Sequence, residues 1–159
     1  MTSDLQTLDT DVLVVGSGIA GLTFSLKASE YADVLVLTKK DRADSSTNYA
    51  QGGVAAVWSP EDSAELHRRD TLLAGAGLCH TRAVEELVRE GPERVEELME
   101  WGVRFSREEG ELSLGREAGH SRRRILHAAD LTGREIERAL LSAVSRAERV
   151  RLLEDHFVW

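Results

Sequence analysis

The sequence predicts an α/β fold of the Rossmann-like kind built on a parallel sheet. Three observations predict it: an apolar run at 11–15, the turn Gly16-Ser17-Gly18-Ile19-Ala20-Gly21 directly after it, and a second apolar run at 33–38 beyond an intervening helical stretch. Asp11-Val12-Leu13-Val14-Val15 lacks polar alternation, which suits a central parallel strand buried on both faces. Leu22, Leu26 and Ser29 keep helical spacing, so a helix reaching about Ser29 follows the turn. Val34-Leu35-Val36-Leu37 completes a strand–helix–strand unit.

Residues 1–10 form a short lead and residues 39–60 a polar, glycine-containing loop. A helix is expected over Ser63–Ala74, ended by Gly75 and Gly77. Thr81 can cap a helix over Arg82–Glu90, and Pro92 should open a separate one that Gly102 stops, with Val95, Leu98 and Met99 as its apolar face. Short extended pieces fill 103–128. Thr132-Gly133-Arg134-Glu135 has the form of a capping box before a helix over Ile136–Arg146, with Asp130 hydrogen-bonding local backbone ahead of it. Arg149–Val158 reads as a last strand, after which the chain is expected to stop inside a larger sheet, leaving the fold incomplete at its C-terminus.

Composition narrows the function classes. The 159 residues include 42% hydrophobic and 30% charged side chains, a globular balance. A net charge of −8 disfavours nucleic acid and anionic membrane surfaces as partners. Cys79 is the only cysteine, which excludes an internal disulfide and a multi-cysteine metal site, and no metal ligand set is expected. The polar start Met1-Thr2-Ser3-Asp4-Leu5-Gln6 lacks the pattern of a signal peptide, and no apolar run approaches the ~20 residues that span a bilayer. These features together predict a cytoplasmic protein.

The glycine turn carries the first chemistry. Gly16 permits a tight turn, Gly18 lets backbone approach a pyrophosphate, and Gly21 lets helix and strand pack closely; the helix N-terminus then presents N–H groups to phosphate. An acid about twenty residues on would hold a ribose in an NAD site, but Thr38 stands there, followed by Lys39. Thr38 offers a weaker hydroxyl contact. Lys39 is either a phosphate or ribose contact or a solvated loop charge.

The next loop, Ser45-Ser46-Thr47-Asn48-Tyr49-Ala50-Gln51-Gly52-Gly53, is rich in backbone donors and closes on two glycines. Together with Val54-Ala55-Ala56, Asp70-Thr71-Leu72-Leu73-Ala74-Gly75-Ala76-Gly77, Arg116-Glu117-Ala118-Gly119-His120-Ser121 and Arg124 through Glu135, it resembles the flavoproteins of the fumarate reductase, succinate dehydrogenase and aspartate oxidase superfamily, and the L-aspartate oxidases most closely. The resemblance covers nearly the whole chain. It implies FAD as cofactor, with Gly16, Ser17, Gly18, Ile19, Ala20 and Gly21 at the pyrophosphate and Lys39 at the adenosine half. Ser46, Thr47, Asn48, Tyr49, Ala50, Gln51, Gly52 and Gly53 would run along the flavin. It also implies noncovalent FAD, because Ser46 occupies the position where membrane-complex relatives carry a flavin-linking histidine.

Glu117 bears on the substrate. A dicarboxylate would be repelled by a nearby glutamate, whereas an amino acid can pair its ammonium with the carboxylate. In the resembled family the matching glutamate orients L-aspartate, which is oxidised to iminoaspartate by hydride loss to the flavin. Oxygen or fumarate then reoxidises the cofactor, and the product feeds quinolinate and NAD synthesis, with quinolinate synthase as a partner. Without the resemblance, Glu117 is a surface acid paired with Arg116 or Arg123. Arg122, Arg123 and Arg124 read as a loop of mixed salt bridges, His120 and His127 as flavin-near or structural residues, and Tyr49 and Trp58 as packing residues near the flavin. The resemblance makes residues 1–159 the N-terminal part of an FAD-binding domain, without capping and C-terminal helical domains. No catalytic residue is expected within the chain, so it should not oxidise aspartate by itself. The rivals are a succinate dehydrogenase or fumarate reductase flavoprotein and a non-catalytic nucleotide-binding fragment.

Overall fold

The computed structural model describes residues 7–129 and 131–159. Asp130 and the first six residues of the expected lead lie outside the described residues. The chain divides into two compact units, one running to Ser46 and resuming at Leu140–Trp159, the other Thr47–Ala139.

The first unit contains β1 (Val12–Val15), α1 (Ile19–Ala28), β2 (Val34–Leu37) and β8 (Val150–Leu153). They form a parallel sheet of order β1-β2-β8, with Val12 opposite Val34 and Val34 opposite Val150. The predicted parallel α/β unit is therefore present. Val14, Val34 and Val36 form its core, against which Val12, Ala28, Val150 and Leu152 pack. The expectation that β1 is central and buried on both faces needs correction. β2 is the central strand; β1 pairs with β2 alone among the described residues, and Leu13 and Val15 are 53% and 63% exposed. The apolar run reports strand formation faithfully, but a strand is buried on both faces only where other elements cover both faces of its sheet, and the face carrying Leu13 and Val15 is exposed.

The second unit contains β3 (Val54–Ala55), α2 (Ala64–Ala74), α3 (Thr81–Glu100), β4 (Arg107–Glu108), β5 (Glu111–Leu112), β6 (Leu114–Gly115) and β7 (Ile125–Leu126). β3, β7 and β6 make an antiparallel sheet, and β4 with β5 a hairpin. Ser63 caps α2 by accepting from the Leu66 N–H. The two helices expected around Pro92 are one helix, α3, with Pro92 inside it and His80, not Thr81, at its cap. Pro92 has no N–H to give the Val88 carbonyl, a defect worth about 3 kcal/mol. Val84, Val88, Val95 and Leu98 nevertheless lie buried on one continuous stripe. Burying each contributes about 1.5–3 kcal/mol, so the stripe outweighs the proline.

The last helix, α4 (Thr132–Arg146), begins four residues earlier than expected. The capping box does not form. The Thr132 hydroxyl accepts from the Ala128 N–H, while Glu135 accepts from the Arg104 N–H and pairs with Arg138. The tertiary partners compete successfully for both side chains. β8 is also shorter than the 149–158 stretch expected. Among the described residues, no helix is long and apolar enough to cross a membrane.

Candidate functional site

In the first unit the chain passes from β1 through Gly16-Ser17-Gly18 into α1. Gly16 sits at φ +107°, a conformation that favours glycine, and a Cβ placed there would meet nothing within 4 Å. Its N–H donates to the Leu37 carbonyl at 2.8 Å, closing the turn onto β2. Gly21 is required for contact: a Cβ there would stand 2.1 Å from the Gly16 carbonyl oxygen. Gly18 caps α1 without a side-chain hydrogen bond, and the first turn holds no acid. Open space at the turn, an uncovered helix start and no repelling carboxylate fit the pyrophosphate of a dinucleotide.

The side chains around the turn are partly occupied in holding it. The Ser17 hydroxyl is buried, donates to the Arg42 carbonyl at 2.9 Å and lies within hydrogen-bond distance of Thr38 Oγ1 at 3.1 Å. The Thr38 hydroxyl, considered above for a ribose, thus faces Ser17 in the interior. The Ser17 backbone remains for a ligand. Lys39 is exposed. Arg42 pairs with Glu154 beyond β8, anchoring the loop after β2.

In the second unit the loop Thr47–Gly53 leads into β3. It is held by close backbone approach: the Gly133 N–H donates to the Ala50 carbonyl at 3.1 Å, and a Cβ on Gly133 would lie 2.0 Å from the Thr47 carbonyl oxygen. A Cβ on Gly53 would lie 2.3 Å from Ile125 Cγ2. Ser46, Ala50, Gln51 and Gly52 are exposed, as is Tyr49 at 67%. Trp58 is half-buried. A loop with backbone exposed on one side and glycine-tight on the other suits a planar ligand.

Glu117 is exposed in the loop between β6 and β7. The base of that loop is closed by the Arg124 N–H donating to the Gly115 carbonyl at 3.1 Å, and its tip by the His120 N–H donating to the Glu117 carbonyl at 3.2 Å. Arg122 and Arg123 do not neutralise Glu117; they donate to the carbonyls of Glu61 and Leu114. Beside the loop opens a cleft of about 1500 Å³, with Glu61, Glu108, Glu109 and Glu111 and with Arg116, Arg122 and Arg123 in its walls.

Arg124 departs from the two arginines before it. It is fully buried, donating to both Asp62 oxygens at 2.7 Å and to Asp70 at 2.6 Å. Asp70 also accepts from the Ser121 N–H and hydroxyl, each at 2.7 Å. Burial pushes the Asp70 carboxyl up, but the two Ser121 bonds and Arg124 outweigh it and bring it down to about 2. Burial likewise opposes ionisation of Asp62, and the Arg124 and Ser63 bonds prevail, leaving it lowered. His120 Nδ1 lies 3.1 Å from Arg124 Nη1; an arginine can only donate, so this nitrogen accepts and is unprotonated. His67, buried, is pushed down by desolvation first and then by the charge of Arg124. His127 is half-buried.

The residues missed in sequence are Arg124, Asp62, Asp70 and Gly133. Asp70 and Arg124 lay within the family-like segments, yet nothing in a single chain reveals that they meet. Among the described residues no cluster of histidine, cysteine or acid could hold a metal ion.

Comparison with known proteins places these features. Residues 11–159 match the family described as FAD binding domain. The chain is 52% identical over 148 residues to the chloroplastic L-aspartate oxidase of Oryza sativa, covering 92% of this chain and 23% of that protein. It is 44% identical to the L-aspartate oxidase of Vibrio cholerae, with 92% and 28% covered, and 52% identical to that of Streptomyces coelicolor, with 93% and 26% covered. Among solved structures, E. coli quinol fumarate reductase FrdA superposes with a TM-score of 0.90 at 32% identity, covering 97% of this chain and 27% of that one. Mycobacterium smegmatis Sdh1 gives 0.83 at 31%, with 92% and 27% covered. The chain thus spans between 23% and 28% of the length of these curated relatives. A family match over residues 11–159, nearly the whole chain, shows that the chain belongs to the FAD binding domain family.

Proposed function

We propose that this chain is the N-terminal part of the FAD-binding domain of an L-aspartate oxidase, with capping and C-terminal helical domains supplied elsewhere in the whole protein. The observation that carries the proposal is an exposed Glu117 carboxylate, left to itself by its neighbouring arginines, in a chain 42–53% identical to proteins named L-aspartate oxidase. A carboxylate there attracts the ammonium of aspartate and repels a plain dicarboxylate.

In this reading the backbone of Gly16, Ser17, Gly18, Ile19, Ala20 and Gly21 holds the pyrophosphate and Lys39 the adenosine half. Residues Ser46 to Gly53 hold the flavin, noncovalently because Ser46 has no imidazole. FAD, when bound, supplies the two-electron acceptor for oxidation of aspartate to iminoaspartate. Glu117 binds and orients the substrate ammonium. The proton-transferring group lies outside residues 1–159. Oxygen or fumarate is the final acceptor, quinolinate synthase takes the product toward NAD, and the setting is cytoplasmic. The rice relative's chloroplastic name belongs to that protein.

The test is turnover by the protein from the complete reading frame, purified with FAD. Aspartate-dependent peroxide formation or fumarate reduction is expected. The likeness to FrdA supports a second reading, a fumarate reductase or succinate dehydrogenase flavoprotein. Succinate oxidation without aspartate oxidation would decide for it. The 159-residue chain alone should bind FAD, detected by quenching of flavin fluorescence, yet produce no peroxide from aspartate. Absence of any FAD binding would favour a non-catalytic fragment.

A further inference from the structure

The geometry points to Asp70 as a positioning residue that, bonded to both Ser121 and Arg124, holds the Glu117 turn in place for the substrate ammonium. This inference rests on the role proposed for Glu117.

Three hydrogen bonds converge on one oxygen. Asp70 Oδ2 accepts from the Ser121 N–H, the Ser121 hydroxyl and Arg124 Nη1, at 2.7, 2.7 and 2.6 Å. Asp70 belongs to α2, so the anchor is a helix and not another loop. Arg124 is fixed in turn by its two bonds to Asp62, and its own N–H closes the base of the loop on Gly115. The turn from Glu117 to His120 therefore spans only the residues between two fastened points, Gly115–Arg124 and Ser121–Asp70.

Gly119 lets the turn take its shape: its φ of +89° lies in the left-handed region that favours glycine, and a Cβ there would be in ordinary contact, 3.4 Å, with the Ala74 Cβ at the end of α2. A loop that only needed to be solvated would not require charge-assisted bonds to a buried acid. An exposed glutamate that must meet an ammonium gains from them, because pre-ordering removes an entropy cost from binding. Ser121 does not touch substrate in this arrangement; it acts through Glu117.

The complete FAD-loaded protein carries the test, with Ser121→Ala as the mild variant because it leaves Arg124, Asp62 and Asp70 intact. It should raise KM for aspartate about fivefold while kcat stays within about twofold, and Ser121→Thr should restore KM. In a Glu117→Gln background the same Ser121→Ala change should add nothing, since the group through which it acts is gone. Hydrogen exchange supplies a readout besides activity: the 117–121 amides should exchange about tenfold faster in Asp70→Asn. An unchanged KM in Ser121→Ala, a Ser121→Ala effect that multiplies with Glu117→Gln, or unaltered exchange overturns the inference while the proposed function stands. Failure of the unsubstituted protein to oxidise aspartate overturns the proposed function, and this role with it. Should Asp70→Asn not fold, the Ser121 series decides.

Discussion

Arg124 and Asp62 meet as a two-point pair with both side chains entirely out of solvent, Nε to Oδ2 and Nη2 to Oδ1, each at 2.7 Å. The planar guanidinium matches the carboxylate edge to edge, and its remaining donor Nη1 reaches Asp70. Removing Arg124 leaves two carboxylates without their cation. Arg124→Ala should therefore destabilise the protein by about 3–5 kcal/mol. Arg124→Lys keeps the charge but loses the fork, and should fall between the two. Urea unfolding of the three proteins gives the order; a Lys variant as stable as the unsubstituted protein would show that charge alone suffices.

The same cluster sets an acid limit. Asp70 is held at about 2 in the folded chain against an ordinary 3.8. Its folded value lies below its unfolded one, so its contribution is present above about pH 4 and is lost as pH falls toward about 2. Asp62 is shifted in the same direction. His67, held neutral by burial, adds an earlier loss that begins as pH drops below its ordinary 6.5. Unfolding free energy measured against pH should fall through both windows. Asp70→Asn should flatten the lower one; an unchanged slope there would assign acid lability to other groups.

Pro92 offers a gain. Its ring sits inside α3 where a donor to the Val88 carbonyl is missing. Pro92→Ala restores that donor without touching the buried stripe, and should stabilise by about 1–3 kcal/mol. A midpoint in urea that does not rise would mean the helix is already adapted to the proline.

The dinucleotide turn can be tested by single methyl groups. Gly21→Ala forces a Cβ to within 2.1 Å of the Gly16 carbonyl oxygen, which must move. Gly16→Ala puts a side chain at φ +107°, at a cost of about 1–3 kcal/mol. Each should weaken FAD binding at least about tenfold by fluorescence titration. Gly52→Ala, where a Cβ would meet nothing within 4 Å among protein atoms, should disturb the empty fold little, and any loss of FAD affinity there would report close approach of the ligand itself.

What the sequence determined by itself was local or periodic. Val12–Val15 and Val34–Leu37 announce strands because their apolar runs need no distant partner to be recognised. Gly16, Gly18 and Gly21 announce the turn because their backbone demands lie within six consecutive residues. Glu117 stands out in the sequence as an acid in a loop bracketed by Gly115 and Gly119, and its role toward a substrate is the proposal above. Tertiary structure decided the rest. Whether Val15 is buried depends on what covers its face of the sheet, and whether Pro92 ends a helix depends on what Val84 through Leu98 bury against. Thr132 and Glu135 matched a cap by spacing, but Ala128, Arg104 and Arg138 claimed their side chains. Arg122, Arg123 and Arg124 are chemically identical in the chain. Only the convergence of Asp62 and Asp70, 62 and 54 residues away, makes the third a buried anchor, because pairing at that separation leaves no periodic trace along the sequence.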